Sequence, residues 1–251
     1  IQHFPEHRIY VEPFGGGGSV LLQKSRSYAE VYNDIYSDIV NVFRVLRDSE
    51  TAQHLKQMCE LTPFAREEFE AAINRTESVE WARQVIFRSF AGFGSGSSNE
   101  NHNTGFRANS NRRGTTPAHD WANWPSHIVD FVARLRGVVI ENRAAIDVMK
   151  HHDTPETLHY LDPPYMHDTR RIHTGKNGIY KNEMTNQDHD ELLAFIQTLK
   201  GKVLISGYRN ETYDNALKDW HRVDFGAMAD GARKRTESLW MNCQQKLTLF
   251  N

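Results

Sequence analysis

The stretch "RIYVEPFGGGGSVLLQK", residues 8–24, decides how the chain is read. Four glycines followed by a serine have the composition of a flexible linker, but their flanks argue otherwise. Residues 8–14 are rich in β-branched and aromatic side chains and read as a strand, while 19–24 read as a short helix. A glycine turn between a strand's carboxyl end and a helix is where an open α/β sheet binds its ligand. Glycine there lets the backbone approach the ligand closely. Residues 28–32 form a second strand that stops at Asn33-Asp34. Ile35, Ile39, Val42, Phe43 and Leu46 then recur at helical spacing, with Asp34 placed to cap that helix. Such alternation implies parallel pairing and a doubly wound, mostly parallel α/β sheet.

The alternation breaks after residue 50. Residues 51–80 are helical and charged, and 91–119 are a polar run without apolar periodicity, a length that implies function or disorder in a compact domain. The sheet pattern returns at 137–141 and 158–162. A helix is expected at about 185–200, capped by Thr185, then a strand at 202–206 and two last strands near 221–226 and 237–242. The expected organisation is a catalytic domain of residues 1–50 and 126–251 carrying an inserted, mostly helical domain at 51–125.

Composition narrows the function. A chain of 251 residues with a 39% apolar fraction suits one core domain with an insertion. No apolar run reaches the length of a membrane span, and Ile1-Gln2-His3-Phe4 does not open like a secretory signal. Two cysteines, Cys59 and Cys243, are too few for a disulfide framework or a thiolate zinc site, and the histidines show no metal-ligand spacing, so no metal is expected. This points to the cytoplasm and to a monomer. Net charge is −2, so the whole molecule is not a polycation. Basic patches are local: Arg83, Arg88, Arg107, Arg112 and Arg113 face a single acid, Glu100, within 81–119, and further clusters lie at 170–181 and 233–235. Such patches suit a polyanion bound on one face, although charge runs are more often solvated.

Glu12, two residues before the glycines, selects among nucleoside ligands. A carboxylate there repels a dinucleotide's pyrophosphate and welcomes the sulfonium and ammonium of S-adenosylmethionine. Asp34, at the end of the second strand, suits the ribose hydroxyls. A plain glycine turn remains the alternative. The second motif, "YLDPPY" at 160–165, follows a strand and stiffens its turn with two prolines, which fixes where Asp162 and Tyr165 point. A carboxylate, the Pro163 carbonyl and an aromatic face together suit a planar ring bearing an exocyclic amino group. Accepting its protons frees the nitrogen lone pair for an electrophile.

EPFGGGGS followed, after a long insertion, by DPPY resembles the DNA adenine N6-methyltransferases of the Dam-like (D12) group, over nearly the whole chain. The resemblance implies a site-specific adenine DNA methyltransferase, bacterial or from a phage and of the restriction-modification type. It would use S-adenosylmethionine, release S-adenosylhomocysteine and act on double-stranded DNA by flipping the base. It implies that Glu12, Pro13, Phe14, Gly15, Gly16, Gly17 and Gly18 line the methionine end of the cofactor and that Asp34 holds the ribose. Asn142 and Arg143 would fall beside the adenine of the cofactor, and Asp162, Pro163, Pro164 and Tyr165 would form the catalytic motif, with Asp162 also at the cofactor. The inserted domain would read DNA through the aromatic, glycine and arginine segment that contains Arg88, Phe93 and Arg107, with Arg112 and Arg113 nearby. "ISGYRNE" (205–211) resembles the strand and loop after the catalytic motif, and "KRTESLW" (234–240) the closing hairpin. The family's Pro-Gly-Gly-Lys-like segment lies upstream of the first strand, and this sequence opens at Ile1-Gln2-His3, only a few residues before that strand. Cytosine N4 methylation, and a DNA-binding module with a vestigial cofactor fold, remain as alternatives.

Overall fold

The computed structural model describes residues 1–72, 78–92, 105–108, 114–166, 184–229 and 233–243. Two compact units emerge, and the second begins earlier than the sequence suggests. Among the described residues, 1–35, 137–166 and 184–243 form one unit, and Tyr36–Arg136 the other.

The first unit is built on a seven-stranded sheet in the order β3-β2-β1-β4-β5-β7-β6. Its strands are β1 (Ile9–Glu12), β2 (Ala29–Asn33), β3 (Val138–Glu141), β4 (Thr157–Leu161), β5 (Lys202–Tyr208), β6 (His221–Ala229) and β7 (Arg233–Met241). β1 to β5 pair in parallel, while β7 runs antiparallel between β5 and β6. The chain runs outward from β1 to β3 on one side and resumes at β4 on the other. The sheet therefore reverses direction between β1 and β4, which are hydrogen-bonded neighbours with Val11 opposite His159. Ligands of open α/β sheets bind at this kind of switch point, beyond the carboxyl ends of the strands.

Burial explains the strands. Leu161, Val203, Ile205 and Trp240 alternate to one face and pack with Leu192, Leu193 and Ile196 of α9 (Asn186–Ile196). Val11 and Val31 pack with Val148 of α8 (Ala145–His152). α9 starts where Thr185 predicts: the Thr185 hydroxyl accepts the Asp188 N–H and the Asp188 carboxylate accepts the Thr185 N–H, a reciprocal cap. The short helices α1 (Ser19–Gln23) and α10 (Glu211–Ala216) complete this unit.

The second unit is helical: α2 (Ser37–Arg47), α3 (Ser49–Leu61), α4 (Arg66–Ala71), α5 (Ser78–Ala91), α6 (Pro117–Asn123), a 3-10 turn at Trp124–His127 and α7 (Ile128–Leu135). α5 is its axis, buried along most of its length. α2 belongs here rather than to the sheet unit, because Val40, Phe43 and Leu46 form a buried face and α2 packs on α5, joined by Asn41 and Ser78. Its first residue follows Tyr36, so Asp34 does not cap it; the Asp34 side chain has another partner. Arg83 is clamped by both oxygens of Glu80 and by Glu68, and the Trp121 indole N–H donates to the Thr62 carbonyl at 2.8 Å. No helix among the described residues is long and apolar enough to cross a membrane.

Candidate active site

The two motifs meet at the switch point. Glu12 ends β1 and Asp162 follows β4, the adjacent strand, so the loops after both carboxyl ends open on the same edge.

Three of the four glycines are needed where they stand. A Cβ on Gly15 would lie 2.1 Å from the Tyr32 ring. Gly16 and Gly18 have φ of 49° and 67°, the left-handed region that favours glycine. Gly17 has neither constraint, and no atom of the described residues stands within 4 Å of a Cβ built on it. Tyr32 holds the loop down by donating its hydroxyl to the Gly16 carbonyl at 2.5 Å.

Carboxylates take up one amide of the loop and one of α1. The Gly16 N–H donates to Asp34 Oδ2 at 2.8 Å, and the Leu21 N–H of α1 donates to Glu12 Oε2 at 3.1 Å. Two of the backbone donors that could cradle a pyrophosphate are thus engaged by acids. Glu12, only 2% exposed, also accepts the Tyr10 hydroxyl at 2.7 Å. Its carboxyl is pushed up to about 7, chiefly by burial, with the Asp162 charge adding to the shift and the bonds from Tyr10 and Leu21 opposing it. The Asp162 charge raises the proton affinity of Glu12, and two acids in a partly dehydrated cleft form a donor set for a cation that fits a sulfonium-bearing cofactor.

Asn33, fully buried, ties the site's loops together. Its amide donates to the carbonyls of Pro13 (2.9 Å) and Arg143 (3.0 Å), and its carbonyl accepts the Arg143 N–H at 2.9 Å. Asn142 donates to the Asp34 carbonyl at 2.7 Å. Asp34, Asn142 and Arg143 are therefore brought together at the ends of β2 and β3. Phe14 packs against the core behind the loop.

At the second motif, Asp162 keeps solvent access, yet enough protein surrounds it that lost hydration raises its carboxyl above the ordinary range. Ser206 of β5 donates to Asp162 Oδ1 at 2.9 Å, and a bond from Tyr165 also steadies the ionised form. Pro163 is buried and Pro164 half-buried. The Tyr165 ring meets Tyr208 edge to face, centroids 4.5 Å apart. Glu237 of β7 pairs with Tyr208, and its carboxyl is raised by burial and by Asp162.

Sequence reasoning did not single out Asn33, Tyr10, Tyr32, Ser206 or Tyr208. Ser206 and Tyr208 do lie inside the "ISGYRNE" segment, and alternation along β5 puts both on one face.

In the helical unit, Arg88 is 4% exposed, stands over the Phe69 ring at 4.8 Å and donates to the Phe69 carbonyl, so the structure places it in the interior. Arg107 follows Phe106, which sits among Phe64 and Phe69 and bridges to Gly92. Its N–H donates to the Ala91 carbonyl at 2.7 Å. Phe93, Arg112 and Arg113 lie outside the described residues.

A search of curated proteins finds no match. The family model for D12 class N6 adenine-specific DNA methyltransferases matches residues 1–230, spanning the glycine loop, Asp34, Asn142-Arg143 and the DPPY motif. This chain belongs to the D12 class N6 adenine-specific DNA methyltransferase family.

Proposed function

We propose that this enzyme binds S-adenosylmethionine between the Glu12–Gly18 loop and Asp34 and methylates N6 of an adenine flipped out of double-stranded DNA. The adjacency of Glu12 and Asp162 on neighbouring strands carries the reading, because it sets a cation-binding acid beside an acid suited to an amino group. S-adenosylmethionine supplies the methyl group as a sulfonium substituent. The chain's own contribution is position. Asp162, oriented by Ser206 through Oδ1, accepts an N6 proton in a hydrogen bond and turns the nitrogen lone pair out of ring conjugation. Tyr165, steadied by Tyr208, offers its face to the base. The raised proton affinity of Asp162 also suits it to receive the proton that N6 sheds after methylation. The helical unit would read the DNA, with Arg107 as a base-contacting side chain.

Incubation with labelled cofactor and DNA, followed by identification of the modified nucleoside, tests the reading. N6-methyldeoxyadenosine is expected; N4-methyldeoxycytidine, or no transfer, would overturn it. Asp162→Ala should lower turnover on the order of 10³-fold, as loss of one preorganised polar group does, with DNA affinity retained. Near-normal turnover in that variant removes Asp162 from the chemistry.

A further inference from the structure

Beneath Glu12 lies a buried polar arrangement that the reaction as described does not use. Tyr10 is fully buried two residues before Glu12 on β1, and its hydroxyl donates to Glu12 Oε2 at 2.7 Å. The Leu21 N–H reaches the same oxygen. No hydrogen bond reaches Oε1 among the described residues. The Lys24 ammonium lies 4.5 Å from the Tyr10 ring centroid, held by Glu30 at 2.6 Å, by the Ser25 carbonyl and by Ser27. A cation over a phenol ring draws electron density from it and strengthens its hydroxyl as a donor.

We propose that Tyr10 is a positioning residue for the methyl donor: its hydroxyl keeps Glu12 ionised and turned so that Oε1 faces the donor's cationic end. With two donors on Oε2, a proton bound by Glu12 must sit on Oε1, where it would meet that cation. Tyr10 therefore governs both the direction and the charge of the contact. The inference rests on the reading of Glu12 as a cofactor residue.

The charged and titratable groups around Glu12 are Tyr10 on β1, Tyr32 on β2, Lys24 just beyond α1, Tyr160 on β4 and Asp162 after it. Of these, Asp162 opposes ionisation of Glu12, while Lys24 and Tyr10 favour it. Tyr10→Phe keeps the ring and its contact with Lys24 and removes only the donor. The Glu12 titration should then move upward by about one unit, a tenfold change in proton affinity.

The test has two readouts. Carbon NMR of glutamate-labelled, cofactor-free protein follows the Glu12 titration in the parent and in Tyr10→Phe. Calorimetry follows S-adenosylmethionine binding from pH 6 to pH 9 in both, and in Glu12→Gln with and without Tyr10→Phe. An upward shift from about 7 makes Tyr10→Phe bind about fivefold more weakly at pH 7 and equally well near pH 9, if only ionised Glu12 binds. Tyr10→Phe should add nothing in the Glu12→Gln background. An unchanged Glu12 titration, or a loss of affinity equal at every pH, overturns the role of Tyr10 while leaving the cofactor site intact. Cofactor binding unchanged in Glu12→Gln instead overturns the cofactor reading itself, and the role of Tyr10 with it.

Discussion

The Ser206 hydroxyl, on β5, donates to Asp162 Oδ1 at 2.9 Å, a bond between side chains 44 residues apart that leans on the pairing of β4 with β5. The bond favours the ionised carboxylate and works against the dehydration that raises its proton affinity. Ser206→Ala should therefore raise that affinity further. Single-turnover methyl transfer measured against pH should fall about tenfold or more at neutral pH, since a hydrogen bond to a charged group contributes about 1.5–3 kcal/mol. The acidic limb of the profile should move to higher pH, with cofactor affinity unchanged. An acidic limb that stays in place separates Ser206 from the charge of Asp162.

Two glycines of the loop should respond in opposite ways to alanine. At Gly15 the new Cβ would collide with the Tyr32 ring, which also anchors Gly16 through its hydroxyl. Overpacking of this kind costs about 1–3 kcal/mol, and Gly15→Ala should lower the unfolding free energy by that amount. Gly17→Ala meets nothing among the described residues and needs no unusual backbone. It should leave stability within about 0.5 kcal/mol and weaken cofactor binding, because its methyl would stand in the way of a ligand lying on the loop. Chemical denaturation and cofactor titration of both variants decide the point; a Gly17→Ala enzyme with full affinity places the ligand elsewhere.

The two described arginines from the expected DNA-reading set should divide. Arg88 is buried against Phe69, so Arg88→Ala should destabilise the protein by about 1–3 kcal/mol through the hydrogen bonding and ring contact it loses. Site preference should not relax at any single base pair. Arg107, whose guanidinium makes a long bond to the Phe90 carbonyl at 3.5 Å, should behave differently: Arg107→Ala should cost less stability than Arg88→Ala and remove roughly 1–3 kcal/mol of discrimination at one base pair. If Arg107→Ala instead weakens all sequences equally and flattens the salt dependence, the side chain contacts phosphate.

Acid sensitivity should trace in part to His159. It is fully buried on β4, and its Nε2 stands 3.5 Å from Asp153 Oδ1 without hydrogen-bond geometry. Burial pulls it down from 6.5 to about 4. The unfolded chain then binds a proton first as pH falls, so stability is intact above the unfolded value and declines through the window from 6.5 to about 4. The decline attributable to this one group is about 3 kcal/mol. His159→Leu should flatten the pH dependence of urea unfolding across that window by a comparable amount. Parallel curves for parent and variant would assign the acid sensitivity to other groups.

Local chemistry was enough to read much of this molecule from its residues alone. The strand, glycine turn and helix at 8–24, the cap at Thr185 and the chain order of the strands follow from periodicity and turn preference. Such signals act within a few residues, where backbone sterics and the nearest hydrogen bonds dominate. The pairing of EPFGGGGS with DPPY likewise marked the family before any contact was known. Tertiary structure alone decided which groups became neighbours. An apolar period says that a helix buries a face, not against what, so α2 could be read as a sheet helix until its buried face was seen against α5. A polar residue at a strand end advertises a bond without naming the partner: Asp34 took the Gly16 N–H rather than a helix terminus, Asn33 bound the loops after β1 and β3, and Tyr10 and Leu21 converged on one oxygen of Glu12. Those choices depend on long-range closure of the sheet. The closure set Glu12 beside Asp162 and drew water away from both, raising their proton affinities in a way no local stretch of sequence encodes.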